Sequence, residues 1–189
     1  MGYGMISETG NVLVKLLRDN MVPDVVNSPD NIGMCSPDDH GDFTIGICLY
    51  DVAESEEILA PGMVNSGLRS QTYPSTFLDL YYMITAYSGS DLKFRAGEEQ
   101  RILGSVVQIL RDNSVLHEHT LGEGVKQPAH IELQKMQSHD KMRLWSFPNT
   151  PYKLSLFYRV GPIEITSAKT RDIKRVTDVE FTISEKKRR

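Results

Sequence analysis

Two histidines two residues apart, His117 and His119, come nearest to a chemical site in this sequence. In an extended segment they would share one face, and imidazole nitrogen is a common zinc ligand. No third ligand stands at a characteristic spacing, and the sequence contains neither HExxH nor CxxC. A polar loop is therefore the favoured interpretation. A metal-dependent enzyme that uses both histidines is the alternative.

Other motifs of catalysis are missing from the sequence. No GxGxxG follows a strand, and neither GxxxxGK[ST] nor GxSxG occurs. No nucleophile and base stand out as a pair. Cys35 and Cys48 lie in apolar, strand-like contexts, where buried free thiols are expected. We therefore predict a protein that is not an enzyme, with no catalytic, cofactor-binding or metal-binding residue and no cofactor.

Length and composition are those of a globular chain. The 189 residues are 40% hydrophobic and 24% charged, which suits one domain over residues 1–183 and a basic tail at 184–189. No apolar run approaches the roughly 20 residues of a membrane span, and the N-terminus lacks the basic and apolar regions of a signal peptide. The expected location is the cytoplasm, with no membrane span.

Charge is distributed unevenly along the chain. Residues 19–68 contain ten carboxylates and no Lys or Arg, whereas residues 141–189 contain twelve Lys or Arg and five acids, an excess of +7. Two solvated faces are one interpretation. Opposite charges at the two ends of one chain also suit copies that meet head to tail. Nucleic acid is not an expected partner, because the whole chain is acidic and its basic segment has few aromatic residues.

The elements that must position any site are two strands and two helices. Residues 73–90 read as a long central strand with apolar residues on both faces, and residues 43–52 read as a strand that should pair with it. Apolar residues at helical spacing predict a helix at about 6–21, with Ser7 as the candidate N-cap, and another at 96–111. Because both faces of the central strand are apolar, we expect other elements to pack on each face of the sheet. This favours an α/β (α+β) domain, with a mixed or antiparallel sheet flanked by helices.

Several residues within these elements need an explanation of their own. Asp79 lies on the central strand, where a buried carboxylate requires a cation as its partner. Arg69 is the candidate partner. A structural ion pair is favoured over a catalytic role for Asp79. Gly104, inside the second helix, suggests a close crossing over the sheet. Met142 and Trp145 are expected to be core anchors of a short helix that Ser138 caps.

The C-terminal third contains two further alternating segments. Residues 153–160 alternate as a strand, and the apolar parity changes after Gly161-Pro162, as a bulge or kink requires. Residues 176–183 alternate again before the basic tail. This last strand could complete its own sheet or add to the exposed edge of a neighbour.

Connection 53–72 is too long for a hairpin turn and carries apolar residues of its own. It could fold back on the sheet or dock on another subunit. Together with the last alternating strand and the tail, it supplies the predicted interface residues, which are Ile58, Leu59, Met63, Val64, Arg69, Val179, Phe181, Ile183, Lys186, Lys187, Arg188 and Arg189.

Several blocks of the sequence resemble one family. These are ISETGNVLVKLLRDNMV, TIGICLYDV, YPSTFLDLYYMITAYS, EEQRILGSVVQILRDNSVL and LWSFPNTPYKLSLFYRV, which together span residues 6–160. They look like the cap proteins of extracellular contractile injection systems, which are similar in role to phage tail terminators. The most specific part is LDLYYMITAYS together with the helix ending LRDNSVL, and none of these blocks is a catalytic signature.

The resemblance implies a structural protein with a tail-terminator-like fold. It implies a six-fold ring of copies at the distal end of a phage-tail-like particle, which is assembled in the cytoplasm and then released. The implied partners are other copies of the chain, the inner-tube protein and the sheath protein. The alternatives from other classes are the histidine-dependent metalloenzyme and a monomeric protein-binding module.

Overall fold

The computed structural model describes residues 4–58, 62–66, 70–121, 127–147 and 150–172. Within these ranges the helices are α1 (Met5–Met21), α2 (Leu92–Asp112), α3 (Glu118–Leu121) and α4 (Ser138–Leu144). The strands are β1 (Ile32–Met34), β2 (Ile45–Glu54), β3 (Val64–Asn65), β4 (Ser70–Thr72), β5 (Thr76–Ala86), β6 (Val115–Leu116), β7 (Ala129–Leu133), β8 (Ser155–Ile165) and β9 (Thr170–Asp172).

Six strands form the main sheet, in the order β1-β2-β5-β8-β7-β6. β1 runs parallel to β2, and the other neighbouring pairs are antiparallel. The predicted mixed α/β domain is thereby confirmed. So is the pairing of β2 with β5, which continues from Ile45 opposite Ala86 to Glu54 opposite Leu78.

β5 lies inside the sheet, between β2 and β8. Its residues from Leu80 to Ala86 are buried apart from the half-buried Tyr81. An interior strand that is apolar on both faces needs other elements packed on each of them. Helices α1 and α2 pack on one face of β5, and a smaller cluster of side chains near α4 packs on the other. The prediction of a central, doubly covered strand is confirmed.

The helical face contains the larger core. Leu13, Leu17 and Met21 of α1 are no more than 1% exposed, since they recur along one side of the helix and meet the sheet. Ile102 and Val106 of α2 are buried to the same extent. Burial of each such side chain contributes about 1.5–3 kcal/mol. The guanidinium of Arg18 adds a polar link, because its Nε and Nη2 donate to the carbonyl oxygen of Ile32 at 3.1 and 2.7 Å.

The opposite face contains a second, smaller cluster of buried side chains, Met83, Trp145 and Phe157. Trp145, at the C-terminal end of α4, is 5% exposed. Met142 of the same helix is 60% exposed, so the prediction that it anchors the core is wrong. A seven-residue helix presents few side chains to the sheet, and here residues 144 and 145 make that contact.

β8 continues through Gly161-Pro162 and contains a β-bulge. Leu78 lies opposite Ile163 and Leu80 opposite Val160, so Asp79 alone faces the two residues Gly161 and Pro162. One extra residue reverses the side on which the following side chains point. This explains the predicted change of apolar parity.

Connection 53–72 contributes to a second sheet of three short strands, ordered β3-β4-β9. The amide of Tyr73 donates to the carbonyl oxygen of Lys169 at 3.0 Å, next to this sheet. Part of the connection therefore pairs with the chain's own β9 in a separate small sheet, which neither predicted alternative, folding back on the main sheet or docking on another subunit, described.

Helix starts differ from the predictions. α1 begins at Met5, so Ser7 lies inside it, and the Ser7 hydroxyl donates to the carbonyl oxygen of Gly4. Ser138 is the first residue of α4 rather than its cap. α2 begins at Leu92, four residues early, and leaves Leu92 82% exposed. Short polar residues also bond within a helix, so sequence alone does not place the cap.

Gly104 does not mark a close crossing. It is exposed in the middle of α2, and a Cβ built on it meets no heavy atom within 4 Å among the described residues, apart from the helix's own backbone. The predicted approach of this glycine to the sheet is wrong.

Candidate assembly surfaces

The two histidines do not form the extended pair on which a shared metal site depends. His117 is exposed and immediately precedes α3, which contains residue 119. The carbonyl oxygen of His117 accepts from the amides of Thr120 and Leu121 at 2.9 and 3.3 Å, as in a helical turn. The backbone at this point is therefore helical rather than extended. Among the described residues no three His, Cys, Asp or Glu side chains are placed to hold a metal ion.

The densest polar site surrounds Arg159 of β8. Its Nε lies 3.0 Å from Oδ2 of Asp79 on β5, and its Nη1 lies 3.0 Å from Oε2 of Glu132 on β7. Its Nη2 contacts Oε1 of Glu57, beyond the end of β2. One guanidinium thus meets carboxylates from three other segments of the chain. We refer to these four residues as the Arg159 cluster.

Burial differs within the Arg159 cluster. The side chains of Arg159 and Asp79 are 13% and 9% exposed, whereas those of Glu57 and Glu132 are 51% and 53% exposed. Burial opposes the charge on Arg159, but Glu57 and Asp79 outweigh that effect and raise the pKa of the guanidinium. Because a buried carboxylate is costly without a cation, Arg159 is what permits Asp79 on an interior strand. The predicted candidate, Arg69, lies outside the described residues.

The bulge brings the backbone of β8 against the Asp79 carboxylate. A Cβ on Gly161 would lie 2.1 Å from Oδ1 of Asp79, a separation that no side chain tolerates. That Oδ1 atom is buried and has no hydrogen-bond donor among the described residues. All three carboxylates of the Arg159 cluster face the same guanidinium, and the most buried of them, Asp79, lies 3.0 Å from its Nε. The Arg159 cluster is arranged to hold neighbouring strands in register rather than to transfer a proton.

Both cysteines are free and half-buried, somewhat less enclosed than predicted. Burial raises the pKa of the Cys35 thiol to about 11, and nearby Cys48 and Asp39 act in the same direction. Burial likewise raises the pKa of Cys48. Neither thiol is activated as a nucleophile, since activation requires a lowered pKa.

The acidic part of the chain forms an exposed group at the end of β2. Asp51, Glu54, Glu56 and Glu57 are all exposed, and of these Glu57 pairs with Arg159. We call these four residues the acidic edge.

The basic part is partly used within the chain. Lys153 pairs with Glu99 of α2 at 2.6 Å, and Arg159 pairs with the three carboxylates of its cluster. Lys169 lies over the ring of Tyr73, 4.6 Å from its centre. Arg143, Lys169 and Arg171 are exposed. The rest of the predicted basic surface falls in residues 173–189, which lie outside the described residues.

The predicted interface residues fall into two groups. Ile58 is half-buried, and Met63 and Val64 are 36% and 48% exposed, beside the small sheet. The others lie outside the described residues: Leu59, Arg69, Val179, Phe181, Ile183, Lys186, Lys187, Arg188 and Arg189.

A further surface, the unpaired edge of β2, was not predicted. β1 pairs only with Ile45, Gly46 and Ile47, whereas β2 continues to Glu54. Along residues 48–54, no described strand pairs with the side of β2 that faces away from β5. An alternating pattern identifies a strand but carries no information about how far its neighbour extends, so the sequence alone did not reveal this edge.

The fold is that of terminator proteins of contractile injection systems. The chain is similar to the PVC sheath/tube terminator of an extracellular contractile injection system in the extended state, with a TM-score of 0.64 and 16% identity over 95% of this chain. It is also similar to the tube-terminating cap of the anti-feeding prophage, with a TM-score of 0.59 and 17% identity over 93% of this chain. It spans 63% and 60% of the lengths of those two proteins.

The chain belongs to the Pvc16 N-terminal domain family, which matches residues 8–178. No curated protein gave a significant sequence match. In the part of the chain that the structure describes, no helix is both long and apolar enough to cross a membrane.

Proposed function

We propose that this chain is a cap, or tail terminator, of a contractile injection system. Copies of it form a six-fold ring that ends polymerisation of the inner tube and joins the sheath at the distal end of the particle. The proposal rests chiefly on family membership over residues 8–178, together with a terminator-like fold. Assembly takes place in the cytoplasm, before the particle is released.

The surfaces of the chain support a role in assembly. The polar groups of the Arg159 cluster are arranged to hold strands together, and the described histidine segment offers no metal site. Exposed groups instead lie along the edge of β2 and beside the small sheet. A ring needs two complementary patches on each copy. The acidic edge and the basic residues 173–189 meet this requirement.

Tube length tests the proposal directly. Purified inner-tube protein is polymerised with and without the full chain, and tube lengths are measured by electron microscopy. We expect the chain to stop growth and to add density at one end of each tube. A control chain carrying Asp19→Lys and Asp112→Lys should act like the unmodified chain, because both residues are exposed and lie at helix C-terminal ends, where a cation is favoured.

Two results would contradict the proposal. Tubes that grow equally long with and without the chain would exclude a terminator role. A chain that stays monomeric at every concentration and is absent from tube ends would instead support a monomeric binding module.

A further inference from the structure

The unpaired edge of β2 has the properties of a strand-accepting site. Leu49 and Val52 are 36% and 40% exposed, and Met34 on the adjoining β1 is 44% exposed. Leu49 lies opposite Tyr82, Val52 opposite Leu80 and Met34 opposite Ile47. Those three partners belong to the core beneath the helices, so the exposed side chains share that face. They form an apolar strip along an edge with which no described strand pairs.

At Val52, the backbone amide of this edge does not bond to β5. The amide of Val52 donates to Oδ1 of Asp51 at 2.8 Å, although β5 lies alongside on the other side. The Asp51 side chain thus accepts a hydrogen bond from the Val52 amide, which a pairing strand would otherwise accept. Long edges of this kind are sites of strand addition unless they are covered.

Charge restricts which strand can add. Pairing of this edge with the same edge of a second copy would bring Asp51 and Glu54 against their equivalents, and like charges across a strand pair are destabilising. The acidic edge therefore disfavours a symmetric pair and favours a strand with basic flanks.

The chain carries such a strand in its C-terminal segment. Residues 176–183 alternate Val179, Phe181 and Ile183 with polar residues, with Lys174-Arg175 before them and a run of Lys and Arg at 186–189 after them. Eight residues extend about 26 Å, enough to cover the roughly 23 Å of residues 48–54. Either strand direction places one basic cluster near the acidic edge.

We propose that residues 173–189 of one copy add as a strand to the residue 48–54 edge of β2 in a neighbouring copy. The apolar residues of the added strand cover Met34, Leu49 and Val52, and its basic ends meet the acidic edge. This inference rests on the proposed ring, since it specifies the contact that closes the ring. It identifies a donor and an acceptor on every copy.

Binding of a peptide in trans tests the acceptor. A fluorescent peptide of residues 173–189 is titrated, by anisotropy, onto the full chain carrying Val179→Asp and Phe181→Asp, whose own strand is disabled as a donor. We expect saturable binding that weakens at least about tenfold when Val52→Pro is added, because proline removes an edge amide that β5 does not use. The matched control, Val52→Thr, keeps the amide and should bind as before.

Circular dichroism establishes that all variants are folded. Equal binding by the Val52→Pro and Val52→Thr chains, or no binding at all, would overturn the proposal.

Hydrogen exchange identifies the source of the strand. In the unmodified full chain, protection of amides 48–54 should rise with protein concentration, since the donor is another copy. Protection that is independent of concentration would assign the edge to the chain's own tail. Protection that appears only after sheath protein is added would assign it to the sheath. Either result, or no protection at all, would overturn the proposal.

Neither measurement requires tubes. Peptide binding without any effect on tube length would therefore contradict only the proposed function, and capped tubes without peptide binding would contradict only the strand exchange.

Discussion

Arg159 connects four segments that are far apart in sequence. Its guanidinium meets carboxylates near β2, on β5 and on β7, and only the Asp79 carboxylate is buried. Removing one partner of a buried pair costs more than the pair contributes, because the remaining charge is left without compensation. The stability of the sheet should therefore depend on Arg159 far more than on an exposed arginine.

Arg159→Met should lower the free energy of unfolding by about 3–5 kcal/mol, because Asp79 becomes an unpaired buried charge. Adding Asp79→Asn should recover part of that loss, since the charge is gone. Urea unfolding measures all three chains. Arg171→Met, at an exposed position of β9, is the control, with an expected change within about 0.5 kcal/mol. Equal effects at the two arginines would show that the Arg159 cluster does not stabilise the sheet.

Two glycines should respond in opposite directions to the same change. Gly161→Ala places a methyl group 2.1 Å from the Asp79 carboxylate, so we expect a loss of about 1–3 kcal/mol. Gly104→Ala fills open space in the middle of α2, where alanine stabilises a helix by about 1 kcal/mol. Thermal unfolding of both variants checks these signs. A stabilised Gly161→Ala chain would contradict the geometry of the bulge.

At the scale of elements, the position of α1 on the sheet depends on a polar contact as well as on apolar burial. Arg18 donates twice to the carbonyl oxygen of Ile32, the first residue of β1. Since β1 is only three residues long, its backbone has few other bonds. The contact joins the helix to the strand that covers the start of β2.

Arg18→Met should lower the free energy of unfolding by about 1–3 kcal/mol, because hydrogen bonds from a charged donor are lost at a buried strand. Lys15→Met is the matched control on the same helix, since Lys15 is exposed. Its expected change is within about 0.5 kcal/mol. Hydrogen exchange at residues 32–34 and 45–47 should also quicken in Arg18→Met alone. Unchanged exchange there would mean that β1 is held by other contacts.

At the scale of the whole molecule, charge is the property that should govern assembly. The acidic edge is exposed, whereas the described basic residues Lys153 and Arg159 are engaged within the chain. Attraction between copies is therefore left to the other basic residues of this part of the chain, which are the exposed Arg143, Lys169 and Arg171 and those within residues 173–189. Surface attractions of this kind are screened by salt.

Glu54→Lys combined with Glu56→Lys should weaken self-association by about tenfold at roughly 0.05 M salt, and much less at about 0.5 M salt. The Asp19→Lys and Asp112→Lys chain has the same net charge and serves as the control. Sedimentation velocity at both salt concentrations gives the comparison. If both variants weaken association equally, net charge rather than the acidic edge controls assembly.

The terminator resemblance came from the sequence because it rests on local pattern. Apolar spacing in residues 6–21 and 96–111 predicted α1 and α2, and the parity change after Gly161-Pro162 marked the bulge before any pairing was known. Such signals are periodic along the chain, and periodicity follows from the repeat of the element itself. The same patterns predicted both the central strand and the cover on its two faces.

Contacts between distant residues were decided by the tertiary structure. Asp79 was identified as a buried charge, but its cation stands eighty residues later and becomes its neighbour only through the pairing of β5 with β8. Likewise, within the described part of the chain, residues 48–54 of β2 have no outer partner because β1 stops after three residues. The sequence by itself determined the family, the main elements and the sites that needed partners. Only the folded chain decided which partners those were, because strand order and register depend on the packing of all elements at once.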